Sequence, residues 1–169
     1  VAANQSYPDR KAFTEQIEAF AMFNKDHPDS LLYVHSDPLP NRGGIDLYCI
    51  GKLFGAENII KFPKRYDYHL GFSDEEMCKL YNAADVYLGA SAGEGFQIGL
   101  IESQACGIPV ISNSCGGMPE LTGAGWVVDW DHKEYYNLGN FHFRPSVKGI
   151  YETLNKCYDA NKEELFQQA

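Results

Sequence analysis

The sequence predicts an α/β fold with a doubly wound parallel sheet, and two observations carry that prediction. Short apolar segments with strand character alternate along the 169 residues with stretches whose apolar residues recur at helical spacing, a pattern that forms parallel strands flanked by helices. In the middle, Asp85-Val86-Tyr87-Leu88 reads as a buried strand, Gly93-Glu94-Gly95 as a glycine turn, and Gly107-Ile108-Pro109-Val110-Ile111 as a helix stop followed by another strand. Together these make a βαβ unit.

The elements follow in order. Strands are expected near Val1 to Asn4, Leu31 to His35, Ile59 to Phe62, Asp85 to Leu88, Val110 to Ser112 and Trp126 to Asp129. After Ser6-Tyr7-Pro8-Asp9, the pair Arg10-Lys11 opens the first long helix, whose stripe of Phe13, Ile17, Phe20 and Ala21 ends at His27-Pro28. Ser73 and Glu76 form a capping box for a helix that turns Met77, Leu80, Tyr81 and Ala84 to the core. After Pro145-Ser146, the residues Val147, Ile150, Tyr151, Leu154 and Cys157 repeat at helical spacing and read as core. Lys61 to His69 reads as a solvated loop, or as a segment that places an aromatic or basic residue near a nucleotide base, and Trp130 to Arg144 as a long aromatic connection, over the core edge or against another domain.

The turn from Gly93 to Glu102 is the richest in chemistry. It would lie at the carboxyl end of a parallel strand, where open α/β sheets place ligands and a helix N-terminus offers N–H groups to an anion. Gly93 and Gly95 let the backbone approach a ligand, Glu94 precedes the helix and Glu102 lies a turn inside it. Gly99 leaves bare surface over which a flat ligand would reach Glu102. Two carboxylates repel phosphate and suit sugar or ribose hydroxyls, so a balancing cation is needed. Arg10 and Lys11 are the candidates, since cations in a first helical turn oppose the macrodipole by ~0.3–1 kcal/mol and suit a bound anion.

Composition sets limits. A net charge of -9 argues against a nucleic-acid partner, because phosphate backbones are held by basic surfaces. The sequence holds no apolar run long enough to span a bilayer and no signal peptide pattern. Cys49, Cys78, Cys106, Cys115 and Cys157 are odd in number and lack a CxxC pair, which reads as buried reduced thiols in a cytoplasmic protein. The histidines show no metal-ligand spacing, and Asp129-Trp130-Asp131 has the form of a metal-binding DxD that arises easily by chance; no metal is expected. Gly89-Ala90-Ser91-Ala92-Gly93 fits the GxSxG of a hydrolase elbow with Ser91 as nucleophile and Asp129, Asp131 and His132 downstream, although Gly93-Glu94-Gly95 stands where the helix should start. Gly93, Gly95 and Gly99 only loosely approach a dinucleotide fingerprint, off by one in spacing. A non-catalytic nucleotide-binding module is a further alternative.

The run from Glu94 to Glu102 has the Glu, seven residues, Glu spacing of retaining glycosyltransferases of family four, and the resemblance extends to Ser73-Asp74-Glu75-Glu76, to Tyr81 through Leu88, to Glu102 through Ile111 and to Gly116-Gly117-Met118-Pro119-Glu120. Pro8-Asp9-Arg10-Lys11 before Ile17-Glu18-Ala19-Phe20 resembles the family's phosphate-binding start. The resemblance implies a Rossmann-like domain spanning 1–169, the C-terminal, donor-binding half of a GT-B two-domain fold. Val1 already stands inside an apparent strand with no initiating Met, which reads as a fragment, and the resemblance implies that an N-terminal acceptor domain precedes it. The implied activity is that of a hexosyltransferase using a nucleoside-diphosphate sugar, without metal or other cofactor. Lys11 and Glu94 are implied as catalytic, with Arg10, Gly95, Phe96, Gln97, Ile98 and Glu102 binding the donor. Two departures stand out: Ala3-Asn4-Gln5 occupies the place of the family's Gly-Arg, which leaves the pyrophosphate to Lys11 and Arg10, and Gln97 replaces the glycine common after the Phe.

Overall fold

The computed structural model describes residues 9–40, 44–136 and 139–160, so the strand expected at Val1 to Asn4 lies outside the described residues. The described chain runs α1 (Phe13–Asp26), β1 (Leu32–Tyr33), α2 (Leu47–Leu53), β2 (Ile60–Lys61), α3 (Arg65–Leu70), α4 (Asp74–Asn82), β3 (Tyr87–Leu88), α5 (Ile98–Ala105), β4 (Val110–Asn113), α6 (Met118–Leu121), β5 (Gly125–Val128), β6 (Trp130–Tyr136), β7 (Asn140–Pro145) and α7 (Val147–Asp159). β1 pairs with β2, and β4 lies between β3 and β5, all in parallel. Every strand expected within the described residues is present.

Alternation along the strands shows why the sheet is doubly wound. Successive strand residues point to opposite faces, and here neighbours enter different cores. Leu88 and Ile111 join Phe13, Ile17, Phe20, Leu32, Val34, Val128, Ile150 and Leu154 on one face. Tyr87 and Val110 join Tyr81, Leu100, Ile108 and Met118 on the other. α1 and α7 cover the first face and are joined by hydrogen bonds from the Tyr151 hydroxyl to Asp26 at 2.7 Å and between His27 and Asn155 at 2.8 Å. α4, α5 and α6 cover the second.

Local signals explain several boundaries. Ser73 accepts from the Glu76 N–H while the Glu76 carboxylate accepts from the Ser73 N–H at 2.8 Å, so the capping box of α4 is formed as expected. Ser146 caps α7 by accepting from Gly149 N–H. Gly107, at φ 76°, takes the left-handed conformation that follows α5.

Four expectations are corrected. Arg10-Lys11 does not open α1: the helix starts at Phe13, behind Ala12 in a left-handed conformation at φ 51°. The Asp9 carboxylate accepts from Phe13 N–H at 2.8 Å and the Asp9 carbonyl from Ala12 N–H at 2.8 Å, so the two cations ride on a tight turn held from both sides. Trp130 to Arg144 is an antiparallel hairpin, with Glu134 opposite His142 and Tyr135 opposite Phe141. Lys61 to His69 is no simple solvated loop, since α3 uses Arg65 and His69 to clasp the buried Asp37 carboxylate at 2.9 Å each. Ala84 lies beyond α4 and is exposed.

Candidate functional site

The site forms where β3 ends. Leu88 leads into a buried Gly89-Ala90-Ser91-Ala92 segment that is fastened on three sides. Ala92 N–H donates to the Arg10 carbonyl at 2.9 Å, Phe143 N–H donates to the Ala92 carbonyl at 2.7 Å, and the Asn113 side-chain amide donates to the Ser91 and Phe143 carbonyls at 2.9 and 2.7 Å. The turn that follows is therefore presented by fixed backbone.

At Gly93-Glu94-Gly95 the charges meet. Arg10 donates to the Gly93 carbonyl at 2.9 Å and pairs with Glu94 Oε2 at 2.6 Å, while Lys11 Nζ is bonded to Glu94 Oε1. Only 10% of the Glu94 side chain and 14% of that of Lys11 is exposed, so this is a sheltered ion triplet and not a solvated charged pair. Sequence reasoning paired the two cations with the glutamate turn, and the fold brings them together from opposite ends of a separation of 83 residues.

Gly116-Gly117 supports the same turn. Gly117 N–H donates to the Glu94 carbonyl at 3.0 Å. A Cβ on Gly116 or Gly117 would collide with the Glu94 or Gly95 carbonyl oxygen, and Gly116 has φ 58°. Gly95, in contrast, has open space where its Cβ would stand. Gly117→Ala is expected to cost ~1–3 kcal/mol and lower the melting temperature by several degrees, whereas Gly95→Ala should leave it unchanged. Equal melting curves for the two variants would show that the turn is not wedged against Gly117.

α5 begins at Ile98 with Gln97 as its N-cap residue, and the N–H groups of Phe96, Gln97 and Ile98 carry no hydrogen bond to a described residue. Phe96 and Ile98 are 63% and 61% exposed beside those donors. Gln97 turns inward: it is 5% exposed, and its amide donates to the Tyr87 hydroxyl at 3.4 Å. Gly99 does not leave bare surface for a ligand, because the Tyr87 hydroxyl and ring fill the place its Cβ would take. That expectation is corrected; the glycine accommodates a core tyrosine.

Glu102 is exposed on α5, with Oε2 accepting from the Tyr81 hydroxyl at 2.8 Å. Burial and the adjacent Glu102 carboxylate push the Tyr81 phenol far above its ordinary range, so Tyr81 remains a donor that fixes one oxygen and leaves the other facing outward. Tyr81, Asn113, Gly116-Gly117 and His142 were missed as parts of this site. The Gly-Gly doublet was the one available signal, since close backbone approach requires glycine. His142 is 3% exposed, stacks on Tyr136 at 4.5 Å and lies against Gly93. Burial, with the Arg144 and Arg10 charges, holds it below the usual imidazole range.

The hydrolase alternative fails on geometry. Ser91 is 2% exposed and α5 begins seven positions later, at Ile98, whereas an elbow presents its serine at the start of the helix. His132 is exposed on β6 and pairs with Glu134 at 3.4 Å. Among the described residues there is no group of three or more His, Cys, Asp or Glu side chains placed to hold a metal, and no helix is long and apolar enough to cross a membrane.

Comparison with known proteins agrees with this architecture. The sequence profile of the family described as "Glycosyl transferases group 1" matches residues 7–137. The D-inositol 3-phosphate glycosyltransferase of Segniliparus rotundus is 31% identical over 106 residues, which cover 54% of this chain and 23% of that protein. The C-terminal domain of a glycosyl transferase group 1 family protein from Francisella tularensis superposes with a TM-score of 0.68 at 22% identity, over 99% of this chain and 77% of that one. Anabaena Alr3699/HepE, solved in complex with UDP and glucose, gives a TM-score of 0.68 at 19% identity, over 99% of this chain and 40% of that one. The chain thus spans only a fraction of its curated relatives. It belongs to the group 1 glycosyl transferases and has the α/β fold of a GT-B C-terminal domain.

Proposed function

We propose that this domain binds a nucleoside-diphosphate sugar and supplies the donor half of a retaining hexosyltransferase, with an N-terminal domain of the same protein supplying the acceptor half. The observation that carries the proposal is the sheltered triplet of Arg10, Lys11 and Glu94 at the carboxyl end of β3, before the open N–H groups of α5. Two cations and a row of backbone donors suit a diphosphate, and a carboxylate beside them suits sugar hydroxyls. The Anabaena neighbour was solved with UDP and glucose, which supports the ligand class.

The roles follow from the chemistry. Lys11, aided by Arg10 and the N–H groups of Phe96, Gln97 and Ile98, stabilises the charge that develops on the leaving diphosphate, a preorganised electrostatic role. Gly93 and Gly95 let the phosphates approach the backbone. Glu94 orients the donor sugar, and Glu102, held by Tyr81, accepts from the ribose. The leaving phosphate takes the acceptor proton, so the domain needs no general base of its own. No metal takes part in this scheme, and Asp129 and Asp131 have no role.

Calorimetry of the domain against UDP, GDP, ADP and their sugar conjugates tests the reading. One nucleoside diphosphate and its conjugate should bind, unchanged by EDTA, while the domain alone transfers no sugar to simple acceptors. Loss of binding on chelation, or turnover by the domain alone, would overturn the scheme. Binding of a diphosphate without transfer by the full-length protein would favour the non-catalytic module.

A further inference from the structure

The Cys78 thiol on α4 and the Cys106 thiol at the C-cap of α5 lie 3.7 Å apart. Cys78 is exposed and Cys106 half-buried. The remaining described cysteines differ in kind. Burial pushes Cys115 and Cys157 up to about 11, and Cys49 is exposed on the separate helix α2. The Asn82 side-chain amide donates to Cys78 Sγ at 3.4 Å. Burial, followed by the hydrogen bond to Cys78, raises Cys106 above the ordinary thiol range.

We propose that Cys78 and Cys106 form a reversible redox site that closes into an intramolecular disulfide when the protein meets a peroxide. The sulfurs are at van der Waals contact, and a disulfide requires a separation of about 2.05 Å, so the bond forms by a further approach of the two side chains. The Cys78 thiolate attacks one peroxide oxygen, the O–O bond breaks, and with hydrogen peroxide the products are a Cys78 sulfenic acid and water. The Cys106 thiol, deprotonated as it attacks, displaces the sulfenic hydroxyl as a second water and forms the S–S bond. Two thiols are oxidised and one peroxide is reduced to two waters. A dithiol reductant reverses the step.

The bond lies on a meaningful seam. Tyr81 sits one turn after Cys78 on α4 and Glu102 one turn before Cys106, and the two are joined by the 2.8 Å hydrogen bond across the helices. Oxidation therefore fixes the helix pair that carries Glu102. An effect on the ligand rests on the ribose role proposed for Glu102; the disulfide itself does not.

The test reads the bond directly. The domain is treated with a slight excess of hydrogen peroxide, alkylated and mapped by peptide mass. Cys78 and Cys106 should lose alkylation together and appear as one linked peptide pair, with Cys49 still labelled and dithiothreitol restoring both thiols. The cross-link closes a separation of 28 positions, and the melting temperature should rise by roughly 5–10 °C. In Cys106→Ser, Cys78 should be trapped by dimedone as a sulfenic acid, with no rise in melting temperature; Cys78→Ser should form no link. Retention of both thiols at peroxide concentrations that oxidise Cys49, or their appearance only in links between molecules, would overturn the proposal. A domain that bound no nucleotide would leave this result untouched.

Discussion

Arg144→Met should destabilise the domain by about 3–5 kcal/mol, the range for removing one partner of a buried ion cluster. Arg144 leaves β7 and reaches three carboxylates: Asp9 at 3.2 Å, Glu15 at 3.4 Å and Glu134 at 3.1 Å. Its side chain is 13% exposed, and those of Asp9 and Glu15 are 9% and 16% exposed. Methionine retains much of the stem packing, so the loss reports the charge. Without it, sheltered carboxylates face one another unpaired, and the Arg144 donation to the Asp9 carbonyl at 3.0 Å disappears as well.

The deficit should depend on pH, with a sign fixed by Glu15. Burial raises Glu15 above the usual carboxylate range, and the Arg144 charge works against that rise. Removing the arginine lifts Glu15 further. An acid whose folded pKa exceeds its unfolded value costs stability fully above the folded pKa, and that cost is relieved as pH falls toward the unfolded value. Denaturant titrations should therefore show a larger gap between wild type and Arg144→Met at pH 8 than at pH 5. A gap equal at the two pH values would mean that Arg144 acts mainly through packing. The same variant should loosen the turn that carries Arg10 and Lys11, because Asp9 anchors that turn.

The contrast between Arg144 and the Glu94 turn shows what the sequence makes legible. The parallel strands, the α4 capping box and the stripes of α1 and α7 could be read because periodicity and caps are local signals. Glu94, Arg10 and Lys11 could be joined because a carboxylate turn before a helix demands a cation to accept an anion. Arg144 stands in an aromatic stretch where nothing local announces pairing with Asp9, 135 positions away. Gly99 read as leaving room for a ligand because spacing places it one turn before Glu102, yet Tyr87, buried beneath α5, fills that space. Cysteine spacing suggested buried thiols, whereas Cys49 and Cys78 are exposed. Burial of a single side chain depends on partners from distant segments, and periodicity alone does not specify them.

Lys11→Ala should weaken nucleotide binding and Glu94→Gln should not, although the two side chains are bonded to each other. In the described structure both cations are engaged by Glu94, so a diphosphate must share or displace that carboxylate. Lys11→Ala removes a charge-assisted contact worth ~1.5–3 kcal/mol, which weakens UDP or its cognate equivalent by roughly ten- to a hundredfold and spares the nucleoside. Glu94→Gln removes the competing charge, so nucleotide affinity should hold or rise by a few-fold, while the sugar conjugate loses its advantage over the nucleotide. In the complete enzyme, turnover should fall by about 10²–10³, because the donor ring is no longer aligned against a preorganised site. The melting temperature of unliganded Glu94→Gln should drop, since two sheltered cations lose their counter-charge, and saturating nucleotide should restore more of it than in wild type by binding the folded state. Calorimetry with nucleotide and conjugate, together with melting curves at both ligand states, distinguishes the outcomes. Equal losses for both ligands in Glu94→Gln would mean that the carboxylate only holds the turn together. The double variant Lys11→Ala/Glu94→Gln then measures the coupling directly, and additive effects would show that the pair does not act as one unit on the diphosphate.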